Sequence, residues 1–140
     1  MAFRYDYCVY IGRFQPFHLG HLETVKLALS LSERLVIILG SARVAPNIKN
    51  PWTAPEREAL IRSCLLPEWR DRVSFAPVRD RLYNEGAWLS DVRQQVNERV
   101  RPNEKIAIVG YHKDASSYYL SLFPEWDYVS TPYYQNINST

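Results

Sequence analysis

Five short runs of apolar and β-branched residues punctuate the chain, and most of the segments between them repeat apolar residues at helical spacing. Tyr7 to Ile11 reads as the first strand, followed by a helix on which Leu22, Val25, Ala28 and Leu29 recur every three or four positions. "RLVIIL", Arg34 to Leu39, is a continuous apolar run of the kind buried on both faces of a parallel sheet. Thr53 and Glu56 then form a capping box, with Pro55 in the first turn, ahead of Ala59, Leu60 and Cys64. "RVSFAPV", Arg72 to Val78, is a third strand, and Ala87 to Val100 an amphipathic helix striped by Trp88, Val92, Val96 and Val100. "KIAIVG", Lys105 to Gly110, a short helix over Ser117 to Phe123, and "WDYVS", Trp126 to Ser130, complete the order. Strands that alternate with helices predict an α/β fold, a five-stranded parallel sheet with helices on both faces. Ligands of such sheets bind outside the C-terminal strand ends, where connections diverge, which directs attention to the loops after strands one and four.

At 140 residues the chain has the size of one domain, taken as residues 1–140. A formal net charge of +2 is too small to argue for nucleic acid or a membrane surface, so any anion site must be local. Cys8 and Cys64 have no framework spacing and read as buried, reduced thiols of a cytoplasmic protein, and no apolar run approaches the roughly 18 residues of a membrane span.

The loop after strand one is "GRFQPFHLGH", Gly12 to His21. Pro16 biases Gln15 away from helical angles, so the helix begins after it. His18 and His21 then fall in the first helical turn, where unpaired backbone N–H groups and the macrodipole favour an anion such as phosphate. A capping histidine beside a packed one is the alternative. No nearby Cys, Asp or third His completes a zinc set, so no metal site is assigned.

His18-Leu19-Gly20-His21 resembles the H-x-G-H signature of the nucleotidylyltransferase superfamily, and the ten-residue stretch is similar to that of nicotinamide mononucleotide adenylyltransferases of the archaeal type. The resemblance continues in "KNPWTAPERE", "RDRLYNEGAW" and "VGYHKDASSYYLSLFPEW", the last most like a bacterial branch in which a Nudix hydrolase domain follows. It implies a Rossmann-like, three-layer αβα fold and transfer of AMP from ATP to nicotinamide mononucleotide, giving NAD and pyrophosphate. By the same resemblance His18, His21 and Arg13 are the catalytic donors to phosphate. Gly12, Phe14, Gly20, Lys49, Arg57, Gly110 and Lys113 serve ATP, Gly12 by letting backbone approach the nucleotide and Gly20 by leaving room beside the second histidine. Lys49 and Arg57 belong with Arg43 to a long connection that reads as a lid. Asp80, Asn84 and Trp88 are expected to hold the mononucleotide, Asn84 by pairing with a carboxamide and Trp88 by stacking on its ring; core packing is the alternative for Trp88. Mg2+ would travel on the ATP phosphates.

A second phosphate motif, S-x-T-x-x-R or a variant, is expected in this superfamily near the chain's end, and Asn138-Ser139-Thr140 resembles its opening. The arginine does not follow, so the expectation is a shortened domain whose parent continues into a Nudix hydrolase and which transfers adenylate slowly. Self-association is left open. Two other functions stay open too: the same chemistry on phosphopantetheine or flavin mononucleotide, and nucleotide binding without turnover.

Overall fold

The computed structural model describes residues 3–12, 14, 17–40, 52–78, 85–110 and 122–130. Its centre is a parallel sheet of β1 (Tyr5–Gly12), β2 (Ser32–Leu39), β3 (Val73–Pro77), β4 (Ile106–Gly110) and β5 (Asp127–Ser130). The strand order is β3-β2-β1-β4-β5, and every neighbouring pair is parallel. The expected α/β, Rossmann-like sheet is therefore present.

Alternation along the strands sends side chains to two cores. Cys8, Tyr10, Leu35, Ile37 and Val109 face one side, where α1 (Leu19–Leu31) contributes Val25, Ala28 and Leu29 and α2 (Ala54–Cys64) contributes Ile61. Val9, Ile11, Val36, Ile38 and Ile108 face the other, where α4 (Glu85–Asn97) contributes Val92 and Val96. Both sides of β2 are covered, which is why "LVIIL" needs no polar alternation. Beyond α4, Phe123 packs its ring on Trp126 at 4.6 Å and closes the second core.

Two sequence expectations change here, and one element is added. α2 begins at the expected capping box, with the Glu56 N–H on Thr53 Oγ1 at 3.2 Å and the Thr53 N–H on Glu56 Oε1 at 2.8 Å. Its inward stripe, however, is Arg57 and Ile61, followed by the buried C-cap Leu65, so Ala59, Leu60 and Cys64 face outward. Cys64 is thus exposed rather than buried, because the helix spends its inner face on an arginine that an apolar pattern cannot include. A short helix α3 (Pro67–Arg70), unanticipated in the sequence, leads into β3. The helix expected at Ser117 to Phe123 falls mostly outside the described residues. Among the described residues no helix is long and apolar enough to cross a membrane.

β1 lies between β2 and β4, and the chain leaves it toward β2 through α1 but reaches β4 only after α4. Connections therefore diverge between β1 and β4, and their C-terminal ends carry Gly12 and Gly110.

Candidate functional site

The chain leaves the divergence point at Gly12 and re-enters helix at Leu19. Phe14, in between, has φ 54°, the left-handed region that costs a non-glycine residue about 1–2 kcal/mol. Burial of its ring, only 3% exposed, offsets that cost. The ring meets Tyr10 edge-on at 5.2 Å and lies directly over Gly12, where an added Cβ would sit 2.8 Å from Phe14 Cζ. The described structure thus gives Gly12 a reason to be glycine that the sequence did not suggest: the Phe14 ring occupies the place of its side chain.

The two histidines cap the helix reciprocally. His18 is the N-cap of α1, and its Nδ1 accepts the Gly20 N–H at 3.1 Å. His21, three residues on, returns the contact, its Nδ1 accepting the His18 N–H at 3.1 Å. Two of the helix's orphan donors are satisfied in this way, the roles a serine and a glutamate hold in an ordinary capping box. The imidazoles stack at 3.8 Å. His21 also packs against Phe17 at 5.5 Å and receives Phe14 edge-on at 4.9 Å. Capping and packing, which the sequence offered as an alternative to a phosphate role, are therefore both realised here.

This geometry fixes a tautomer. A ring nitrogen that accepts a backbone N–H carries no proton, so in each neutral imidazole the proton resides on Nε2. Protonation at Nδ1 would break the cap. Burial pushes the His21 ring down to about 3, helped by the neighbouring His18, and burial lowers His18 as well. Near neutral pH the pair is two uncharged rings, each with one remaining Nε2–H donor at a helix N-terminus. Among the described residues neither Nε2 has a partner. Such a pair can donate to an anion without transferring a proton.

The other expected residues divide sharply. Gly20 lies buried in the first turn, its carbonyl accepting Thr24 Oγ1 at 3.1 Å. Gly110 ends β4 beside β1. Arg57 is 2% exposed, its Nη1 donating to the Gly40 carbonyl at 2.6 Å. Trp88 is half-buried against the second core, 6.1 Å from the Phe123 ring. Arg13, Lys49, Asp80, Asn84, Lys113, Ser139 and Thr140 lie outside the described residues. Sequence reasoning overlooked Tyr10 and Phe17, the aromatics that pack with Phe14 and His21; Tyr10's place on an inward strand position was the one available signal.

Comparison with known proteins fits this arrangement. A model of the cytidylyltransferase-like family matches residues 9–140. A nicotinamide/nicotinic acid mononucleotide adenylyltransferase of Acinetobacter baylyi is 44% identical over 127 residues, which are 91% of this chain and 67% of that protein. A nicotinamide-nucleotide adenylyltransferase of Ignicoccus hospitalis is 47% identical over 87 residues, covering 61% of this chain and 50% of that one. A crystal structure from Francisella tularensis, of a bifunctional NMN adenylyltransferase/ADP ribose pyrophosphatase complexed with AMP and Mn ion, superposes with a TM-score of 0.87 at 43% identity. It covers 96% of this chain, which spans 39% of the Francisella chain. With the paired histidines at the divergence point of a parallel sheet, the chain belongs to the cytidylyltransferase-like family and is a homologue of nicotinamide mononucleotide adenylyltransferases.

Proposed function

We propose that this chain transfers the adenylyl group of ATP to nicotinamide mononucleotide, forming NAD and releasing pyrophosphate. The observation that carries the reading is the reciprocal histidine cap, which leaves two neutral Nε2–H donors at the start of α1, in a chain 44% identical to an enzyme named for this reaction.

In the reaction an oxygen of the mononucleotide's 5′-phosphate attacks the α-phosphorus of ATP, the bond from that phosphorus to the bridging oxygen breaks, and pyrophosphate departs with the electron pair. The nucleophile is already an anion, so no base is needed. The barrier lies in bringing two like-charged phosphates into line and in the charge that builds on the leaving group. His18 and His21 supply donors that need no reorganisation, because their cap bonds and the Phe14 and Phe17 rings hold them in place. Their low proton affinity keeps the rings neutral, so they stabilise charge without taking or giving a proton.

Arg13, Lys49, Lys113, Ser139 and Thr140 complete the phosphate site in this reading, with Gly110 beside the adenosine and Asp80, Asn84 and Trp88 around the mononucleotide. In this reading the divalent cation would be held largely by phosphate oxygens and water. That cation, Mg2+ in our reading, screens charge on the triphosphate when bound. Incubating the protein with ATP and, in turn, nicotinamide mononucleotide, nicotinate mononucleotide, phosphopantetheine and flavin mononucleotide, with pyrophosphate as the readout, tests the assignment. Turnover should follow the pyridine nucleotides. Turnover confined to phosphopantetheine or flavin mononucleotide, or none with any acceptor, would reject it.

A further inference from the structure

α2 carries a charge inward. Arg57 is 2% exposed and shares its helix face with Ile61, one turn on. A guanidinium is kept out of water only where its donors meet acceptors. Here Nη1 donates to the Gly40 carbonyl at 2.6 Å and Nε to the Thr53 carbonyl at 3.3 Å. Gly40 directly follows β2, and Thr53 is the N-cap of α2, so one side chain joins the backbone on the two sides of the connection between them. The linkage continues, because the Gly40 N–H donates to the Gly12 carbonyl at 2.8 Å. Gly12 is the last residue of β1, where the path to Phe14 and the histidine cap begins.

We infer that Arg57 is a positioning residue for adenylyl transfer, acting through the Gly40 and Gly12 backbone rather than by binding triphosphate. The inference rests on the adenylyltransferase reading of this site and changes the role the sequence suggested for Arg57, a cation over the phosphates. The planar fork suits this bridging role, since two donors leave it in fixed directions, whereas a lysine ammonium is a single point. A shift of the β1 end moves the start of the loop that carries the donors, and displacement of about 1 Å between reacting groups costs about 10²-fold in rate.

Two measurements test it on the whole chain. In the unaltered protein labelled with 15N-arginine, the Arg57 Nε–H should exchange slowly without ligand and shift little when ATP and Mg2+ are added. Rapid exchange, or a shift on ATP as large as that of a phosphate-bound arginine, would overturn the inference. In Arg57→Lys, which keeps the charge, kcat should fall by about 10²-fold while KM for ATP stays within about threefold. Retained kcat with a raised KM would mark Arg57 as a phosphate ligand and refute the positioning role. Should the lysine variant fail to fold, the resonance measurement alone decides. An unaltered protein that makes no NAD would reject the functional reading and this role with it, whereas an active protein with a fully active lysine variant would reject this role only.

Discussion

Replacing His18 separates the two roles of its ring. His18→Ala removes the Nδ1 that accepts the Gly20 N–H at 3.1 Å and the ring stacked 3.8 Å from His21. A lost N-cap costs about 1 kcal/mol, and in a domain of this size that is roughly 3–6 °C in Tm. The Nε2–H donor is lost as well, and removing one preorganised donor to developing charge lowers kcat by about 10²–10³-fold. His18→Ser separates these effects, because serine is a strong N-cap but its short hydroxyl cannot occupy the place of Nε2. Thermal melts and initial rates of NAD formation should therefore give an alanine variant that is both less stable and nearly inactive. The serine variant should recover most of its Tm and none of its turnover. A serine variant within about threefold of native kcat would show that the histidine is a cap and nothing more, and the donor argument would fall.

Other perturbations follow from the same contacts. His21 is held down to about 3 when folded, against 6.5 as its ordinary value, so the unfolded chain binds the proton first as pH falls. Its contribution to stability is complete above 6.5 and is lost progressively as pH drops toward 3; unfolding free energies across that window should slope less in His21→Gln than in the native protein. Gly12→Ala places a Cβ 2.8 Å from Phe14 Cζ and should destabilise by about 1–3 kcal/mol, as overpacked sites do. A smaller residue at Phe14 should relieve it, so Gly12→Ala should cost less stability in a Phe14→Leu background than in the native one, and an equal cost in both would contradict the contact. Trp88→Ala should lose less than the roughly 3–5 kcal/mol of a fully buried aromatic because the ring is only half-buried; titrations should show the mononucleotide weakened more than ATP, and equal losses would remove its stacking role.

The strands were legible because continuous β-branched runs such as "RLVIIL" have few other uses in so short a chain. The start of α2 was legible for a comparable reason, since Thr53, Pro55 and Glu56 specify a helix N-terminus chemically. Its buried face was not. Hydropathy points Arg57 to solvent, whereas acceptors on Thr53 and on Gly40, the latter 17 residues away in sequence, make its burial tolerable. Phe14 was opaque for a different reason, as a positive φ at a phenylalanine is fixed by tertiary packing rather than by local preference. The histidine pair lay between these cases. Its position at a helix start followed from Pro16 and the spacing, but the reciprocal bonds that set both tautomers depend on the ring orientations, which Phe14 and Phe17 settle.

In the proposed reaction a phosphorus–oxygen bond forms between the α-phosphorus of ATP and the 5′-phosphate of the mononucleotide at this histidine pair. Supplying ATP labelled with 32P at the α-position, together with unlabelled nicotinamide mononucleotide and Mg2+, tests it in one separation of products. The label should appear in NAD, none should accompany pyrophosphate, and His18→Ala should nearly abolish the transfer. Label recovered only as ATP or free AMP would rule out adenylyl transfer to the mononucleotide, and transfer undiminished in the alanine variant would rule out the histidine's part in it.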